Sequence, residues 1–298
     1  MNVAAIDIGT NSVRLLITSA DGRELAREMR ITRLGQGVDV AGTLHPDAIQ
    51  RTVDVLAGYR SLIEQHDVKR VRATATSAAR DAKNSQDFFD AAERALGHRP
   101  QLIRGEEEAE LSFRGATDGL KEPGPYLVID IGGGSTEFVL GSEHPEQVIS
   151  VNMGCVRMAE RHLKSDPATP AQLDAVAKDA RALLVEVRNK VDVARANTVV
   201  GLAGTITALA YLHRGLKTYS PADTHRTWLA RADVEAAYEK LAQADVEQRR
   251  ALLVEPKRAE VIVGGAAVLV TLMRELQIEE LLVSENDILD GIAASLRD

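Results

Sequence analysis

The chain has 298 residues, of which 44 are Asp or Glu and 36 are Lys or Arg, for a formal net charge of −8. A chain this acidic is excluded as a general nucleic-acid binder, which needs excess Lys and Arg to displace counterions from phosphates, so any polyanionic ligand must meet a local basic patch. With 45% hydrophobic residues and mixed charge it is a folded rather than a disordered sequence, and its length points to two domains.

The N-terminus, MNVAAIDIGT, has no basic region and its apolar run is cut by Asp7, a pattern unlike a signal peptide. It opens a buried-type strand, a tight turn and a second apolar strand, and the whole pattern returns 123 residues later. Ile6-Asp-Ile-Gly-Thr-Asn-Ser-Val-Arg-Leu-Leu-Ile17 aligns with Ile129-Asp-Ile-Gly-Gly-Gly-Ser-Thr-Glu-Phe-Val-Leu140, with Ile, Asp, Ile, Gly and Ser identical in register. Both copies read as β-hairpins with a functional tip. Arg14 in the first stands where Glu137 stands in the second, so the two loops serve different chemical uses.

After the first hairpin the pattern predicts a strand over about 23–31, a helix from Pro46, a strand at Arg70 to Ala75, a helix from Gln86, a strand at Gln101 to Arg104 and a helix from Glu106. Gly119-Leu-Lys-Glu-Pro-Gly-Pro125 breaks both element types and divides a first domain, 1–120, from a second, 121–298. After the second hairpin come a strand near Gln147 to Val151, helices from Cys155 and Pro170, a strand at Thr198 to Leu202, further helices, and a strand at Leu281 to Ser284. The repeated order predicts an α/β architecture with a mixed sheet in each half and a ligand in the cleft between them. The longest apolar stretch, Val261 to Met273, is 13 residues with two glycines, short of the roughly 18 a membrane span requires. Cys155, the only cysteine, suits a reducing, cytoplasmic compartment. Four Phe, five Tyr and one Trp offer few platforms for stacking bases.

The strongest local signal is Asp130-Ile-Gly-Gly-Gly-Ser-Thr136. Gly132, Gly133 and Gly134 let backbone N–H groups approach an anion with no Cβ in the way, and Ser135 adds a hydroxyl. A plain hairpin turn would need only two residues and one glycine. Asp130 and Glu137 flank the bend as hard oxygen ligands suited to Mg²⁺ that also touches phosphate, against the plainer reading of solvated carboxylates at strand ends. In the first copy Asn11 and Ser12 are either ligand contacts or caps of their own turn, while Arg14 interrupts an apolar strand and needs a partner. Arg80 follows a strand in Thr74-Ala-Thr-Ser-Ala-Ala-Arg80 and is either a fork for phosphoryl oxygens or a loop arginine paired with Asp81.

Gly105-Glu-Glu-Glu108 opens a helix with three acids, which complement the helix dipole. Spacing separates them. Glu108 shares its face with Leu111, Ser112 and Gly115, small enough for a second domain to approach, and a carboxylate held there beside phosphates can act as a general base toward water. Gly201-Leu-Ala-Gly-Thr205 joins a strand to a helix, making Gly204 and Thr205 a second phosphate contact. Arg258 and His225 read as an ordinary surface arginine and polar histidine. No His/Cys cluster has zinc spacing, and no Walker lysine follows the glycines.

Taken together, DIGTNSVRLL, ATSAARDAKN, IRGEEEAELSFRG, VIDIGGGSTEFVLG, MGCVRM and GLAGTITALA resemble the exopolyphosphatase and guanosine pentaphosphate phosphatase (Ppx/GppA) family of the actin, hexokinase and Hsp70 superfamily. The resemblance implies two ribonuclease H-like domains, Glu108 as the base, Arg80 as the family's arginine, and Asp130 and Glu137 as metal or phosphate-loop acids. Asp7, the matching acid of the first copy, joins the expected metal set. Two features depart from the family: longer relatives continue into additional C-terminal domains where this sequence ends at Asp298, so short chains are the expected substrate, and Leu289 stands where a GLREG-like turn has arginine.

The expectation is thus a Mg²⁺-dependent hydrolase, with Mn²⁺ as substitute, that releases terminal phosphate from inorganic polyphosphate, preferentially short chains. Guanosine pentaphosphate is the alternative substrate. A superfamily kinase and a non-catalytic nucleotide or polyphosphate sensor are the rival classes. Neither nucleic acid nor membrane is expected as partner; a homodimer is.

Overall fold

The computed structural model describes residues 1–297. The chain forms two compact units, residues 1–115 with 287 onward, and residues 116–286.

The first unit starts with β1 (Val3–Ile8), β2 (Ser12–Thr18) and β3 (Glu24–Ile31), followed by α1 (Val38–Ala41), α2 (Pro46–Gln65), β4 (Arg70–Ala75), α3 (Ser77–Asp81), α4 (Ser85–Leu96), β5 (Gln101–Leu102) and α5 (Gly105–Thr117). Its sheet order is β3-β2-β1-β4-β5. β1 pairs antiparallel with β2 and parallel with β4. Every residue of β1 is buried, as a central strand covered on both faces requires. One face carries Ile6, Ile8, Val13 and Leu15 against Leu56, Phe88 and Phe89, from α2 and α4.

The second unit holds β6 (Tyr126–Ile131), β7 (Thr136–Gly141), β8 (Pro145–Val151), α6 (Cys155–His162), α7 (Pro170–Lys190), β9 (Thr198–Leu202), α8 (Ala203–His213), α9 (Pro221–Thr224), β10 (Trp228–Ala230), α10 (Arg231–Gln243), α11 (Val246–Leu252), α12 (Ile262–Glu275) and β11 (Glu280–Val283). Its order, β10-β11-β9-β6-β7-β8, repeats that of the first sheet with one antiparallel edge strand added. Two such mixed sheets, repeated in strand order, are the α/β duplication that the hairpin repeat implies. The apolar run Val261 to Met273 is α12 and the residue before it, buried in the second core beside Phe138 and Leu184. No described helix is long and apolar enough to cross a membrane.

The last helix, α13 (Ile288–Ser295), returns to the first unit and packs on β1 and β2. A linear division at residue 120 therefore misses the tail. Leu289, in place of the family's arginine, is 1% exposed and joins Ala5, Leu16, Ile103 and Leu111 in a core on the second face of the first sheet. Arg80, read from the sequence as a loop residue after β4, lies in the short helix α3, with Thr76 at its N-cap.

Candidate active site

At the tip of the first hairpin Gly9 N–H donates to Ser12 O at 2.9 Å, closing the turn. The Asn11 carbonyl accepts from Thr32 N–H (3.1 Å) and Arg33 N–H (2.9 Å), and that of Thr10 from Gly35 N–H (2.9 Å). The side chains are left over. Thr10 Oγ1 and both amide atoms of Asn11 are buried with no hydrogen-bond partner among the described residues. Because buried polar groups are nearly always paired, this orphaned cluster points to a polar ligand and removes the self-capping reading of Asn11. Ser12 opens β2, half-buried. The segment Thr32 to Gly37 that holds this loop went unnoticed in the sequence; its signal is the Gly35-Gln-Gly37 pair just after a strand.

Arg14 has partners of another kind. Its Nη2 donates to Asp7 Oδ2 at 2.7 Å and its Nη1 to Asp287, the N-cap of α13. Arg14, expected to face substrate, and Asp7, expected to hold metal, are joined here in an ion-paired clasp. Burial pushes the Asp7 carboxyl up and Arg14 pulls it back.

Arg80, in the last turn of α3, donates from Nη1 to Glu108 Oε2 at 2.9 Å and to the Ile103 carbonyl at 3.0 Å. The side chains of Arg80 and Glu108 are 22% and 13% exposed, so the pair is sheltered yet reachable. The neighbouring acids differ: Glu107 pairs with Arg72 at 2.6 Å, and Glu106 is exposed. Spacing separates Glu108 from its neighbours but misnames what its face meets. That face, through Leu111 and Gly115, lies against α13 of the same unit.

In the second unit the glycine loop sits on the N-terminus of α6. Cys155 N–H donates to Gly132 O (2.9 Å), Val156 N–H to Gly133 O (2.9 Å) and Gly154 N–H to Gly134 O (3.2 Å). Arg157 Nε adds a 2.7 Å bond to Gly134 O. With the carbonyls held on that side, the N–H groups of Gly133, Gly134 and Ser135 donate to no group among the described residues. Successive backbone donors left open in this way are the makings of an anion nest.

Asp130 and Glu137 face each other across the β6–β7 register, on one side of the sheet, and are 7% and 1% exposed. Ser150 Oγ donates to Glu137 Oε1 at 2.7 Å. No group of three His, Cys, Asp or Glu among the described residues could hold a metal by itself. Two adjacent hard carboxylates nevertheless fit Mg²⁺, which is usually bound through one or two carboxylates plus substrate phosphate and water.

Gly201 and Gly204 flank the turn from β9 into α8, where Ala203 takes a left-handed φ of 68°. The Arg258 guanidinium lies directly over Gly204; any Cβ there would overlap it. Thr205 is buried beside it. Arg258, read from the sequence as an ordinary surface residue, is therefore half-buried at a helix N-terminus. Its partner is 54 residues away in the chain, and no local pattern reports that. Burial raises the Cys155 thiol, against the opposing pull of Arg258. His225 accepts at Nδ1 from Glu285 N–H at 3.1 Å.

The profile of the Ppx/GppA phosphatase family matches residues 16–297. A Mycobacterium tuberculosis protein named exopolyphosphatase 2 is 45% identical over 99% of this chain and 98% of its own length. A solved exopolyphosphatase-like protein superposes with a TM-score of 0.96 at 36% identity, covering 100% of this chain and 99% of that one. An Aliivibrio fischeri guanosine-5′-triphosphate,3′-diphosphate pyrophosphatase is 29% identical over 99% of this chain, which spans 59% of that protein's length. With the family profile matched over residues 16–297 and a relative 45% identical along nearly its whole length, the chain belongs to the Ppx/GppA phosphatase family.

Proposed function

We propose that the protein is an exopolyphosphatase that hydrolyses the terminal phosphoanhydride of inorganic polyphosphate and releases orthophosphate. The observation that carries this reading is the anion nest at Gly132 to Ser135 beside the paired carboxylates Asp130 and Glu137, a combination suited to a phosphate and a hard dication together. The identity with an exopolyphosphatase along its full length supports polyphosphate over other anhydrides. Guanosine pentaphosphate is the second reading, favoured by the similarity to a pyrophosphatase of that substrate class.

Phosphoryl transfer asks mainly for positioning and charge neutralisation. Gly133, Gly134 and Ser135 N–H groups hold phosphoryl oxygens, with Gly204, Thr205 and Arg258 as a second contact. Asp130 and Glu137 would hold Mg²⁺, which when bound neutralises charge on the phosphate oxygens. Glu108 takes the proton of the attacking water. Arg80, 2.9 Å away, orients that carboxylate, while Thr10 and Asn11 supply polar contacts to substrate. Release of phosphate needs no acceptor, which separates this reaction from a kinase. The lone buried thiol, Cys155, supports a reducing, cytoplasmic setting.

The test is phosphate release measured across short polyphosphate, long polyphosphate, guanosine pentaphosphate and ATP, with and without Mg²⁺. Fastest turnover of short polyphosphate is expected. Binding without turnover of any of them would make the protein a sensor, and preference for guanosine pentaphosphate would establish the second reading.

A further inference from the structure

The face of α5 that carries Glu108 is pressed against the last helix of the chain. A Cβ on Gly115 would overlap the Asp287 carbonyl, and one on Gly291 would overlap the Leu111 carbonyl. The two helices meet backbone to backbone, so neither slides past the other without losing contact.

The start of α13 is held just as firmly. Asp287 Oδ1 accepts from Leu289 N–H at 2.9 Å, and Asp290 Oδ2 accepts from Asp287 N–H at 3.0 Å. Arg27 holds Asp290 at 2.7 Å. Arg14 joins the Asp287 carboxylate to Asp7, two residues before Gly9. One residue thus links the strand leading into the Thr10–Asn11 turn, through its side chain, to the helix bearing Glu108, through its carbonyl.

We propose that Asp287 is a positioning residue that fixes Glu108 relative to the Thr10–Asn11 turn. The proposal rests on the reading of Glu108 as the base. Hydrolysis requires the base and the bound phosphate to meet within a narrow geometry, and a displacement of about 1 Å can cost on the order of 100-fold in rate. Asp287 needs no contact with substrate to exert that effect.

The experiment compares kcat and KM for short polyphosphate in Asp287→Asn, Glu108→Gln and the double variant, with thermal melts alongside. Asp287→Asn is expected to lower kcat about 10-fold or more with KM little changed, because a misplaced base slows chemistry without weakening phosphate binding. In the Glu108→Gln background the same substitution should change nothing further. Gly291→Ala, which keeps every ion pair and alters only the helix spacing, is expected to reproduce the kcat loss and serves if Asp287→Asn does not fold. Wild-type kcat in the folded variants, or an equal loss with and without Glu108, would overturn the proposal and leave Asp287 a purely structural residue. Full turnover by Glu108→Gln would instead overturn the assignment of the base.

Discussion

Arg14 and Glu137 occupy the same place in the two duplicated hairpins, each directly across a strand pair from an aspartate, Asp7 in one and Asp130 in the other. The first hairpin carries its own cation. The second presents two carboxylates side by side. A single difference between the copies thereby divides a structural tie from a candidate metal site.

Replacing Arg14 by Met should destabilise the fold by about 3 kcal/mol or more, the usual cost of removing one partner from a sheltered pair. Burial pushes the Asp7 carboxyl up and Arg14 opposes it. Without Arg14 the folded-state value climbs further above that of the unfolded chain, so the folded form gains protons on acidification. The deficit should be full at pH 8 and shrink as the pH falls toward about 4, the range of an unfolded aspartate. Urea unfolding of both proteins across that range checks the sign; a deficit that grows on acidification contradicts it.

Glu108→Gln should lower kcat about 10²- to 10⁴-fold, the span typical of losing a general base. The amide keeps the shape and still accepts from Arg80, so calorimetric binding of short polyphosphate should survive. Near wild-type turnover would return Glu108 to the role of a helix-dipole partner.

Asp130→Asn and Glu137→Gln should each raise the Mg²⁺ concentration giving half-maximal activity, since an amide is a poorer ligand for a hard dication than a carboxylate. Glu137→Gln keeps an acceptor for Ser150, so the far-UV spectrum should not change. Metal titrations that superpose on the wild type would place the cation elsewhere.

Arg258→Ala should raise KM for polyphosphate about 10- to 100-fold, corresponding to the roughly 1.5–3 kcal/mol of a hydrogen bond to a charged group. Arg258→Lys should recover only part of it, because a point charge does not reproduce a guanidinium laid over Gly204. An unchanged KM in both would make Arg258 a packing residue of the α8 turn.

Much of this was legible before any coordinates. The hairpin repeat, strands at Arg70 to Ala75 and Thr198 to Leu202, and helices starting at Pro46, Cys155 and Pro170 follow from buried runs and turn residues, which are local. The choice of Glu108 over its two neighbours came from helical spacing, also local. What stayed hidden depends on distant pairs. Arg258 takes its place from Gly204, the Arg14 clasp from Asp287, and the tail joins the first unit because Leu289 and Ile292 complete a core with Ala5 and Leu16. The short α3 was hidden for another reason: five residues give too little periodicity to see.

The return of α13 to β1 and β2 gives biosynthesis an order. Residues 1–115 leave the ribosome before residues 116–286, yet one face of their sheet stays without Ile288, Leu289 and Ile292 until those residues emerge as well. Residues 116–286 are contiguous and carry their own core, so the unit made second has all its parts before the unit made first. A chain cut just short of residue 287 would therefore keep every part of the second unit and leave the first with apolar surface open to chaperones. Truncation ahead of Asp287 should do its damage in residues 1–115, far from the cut in sequence.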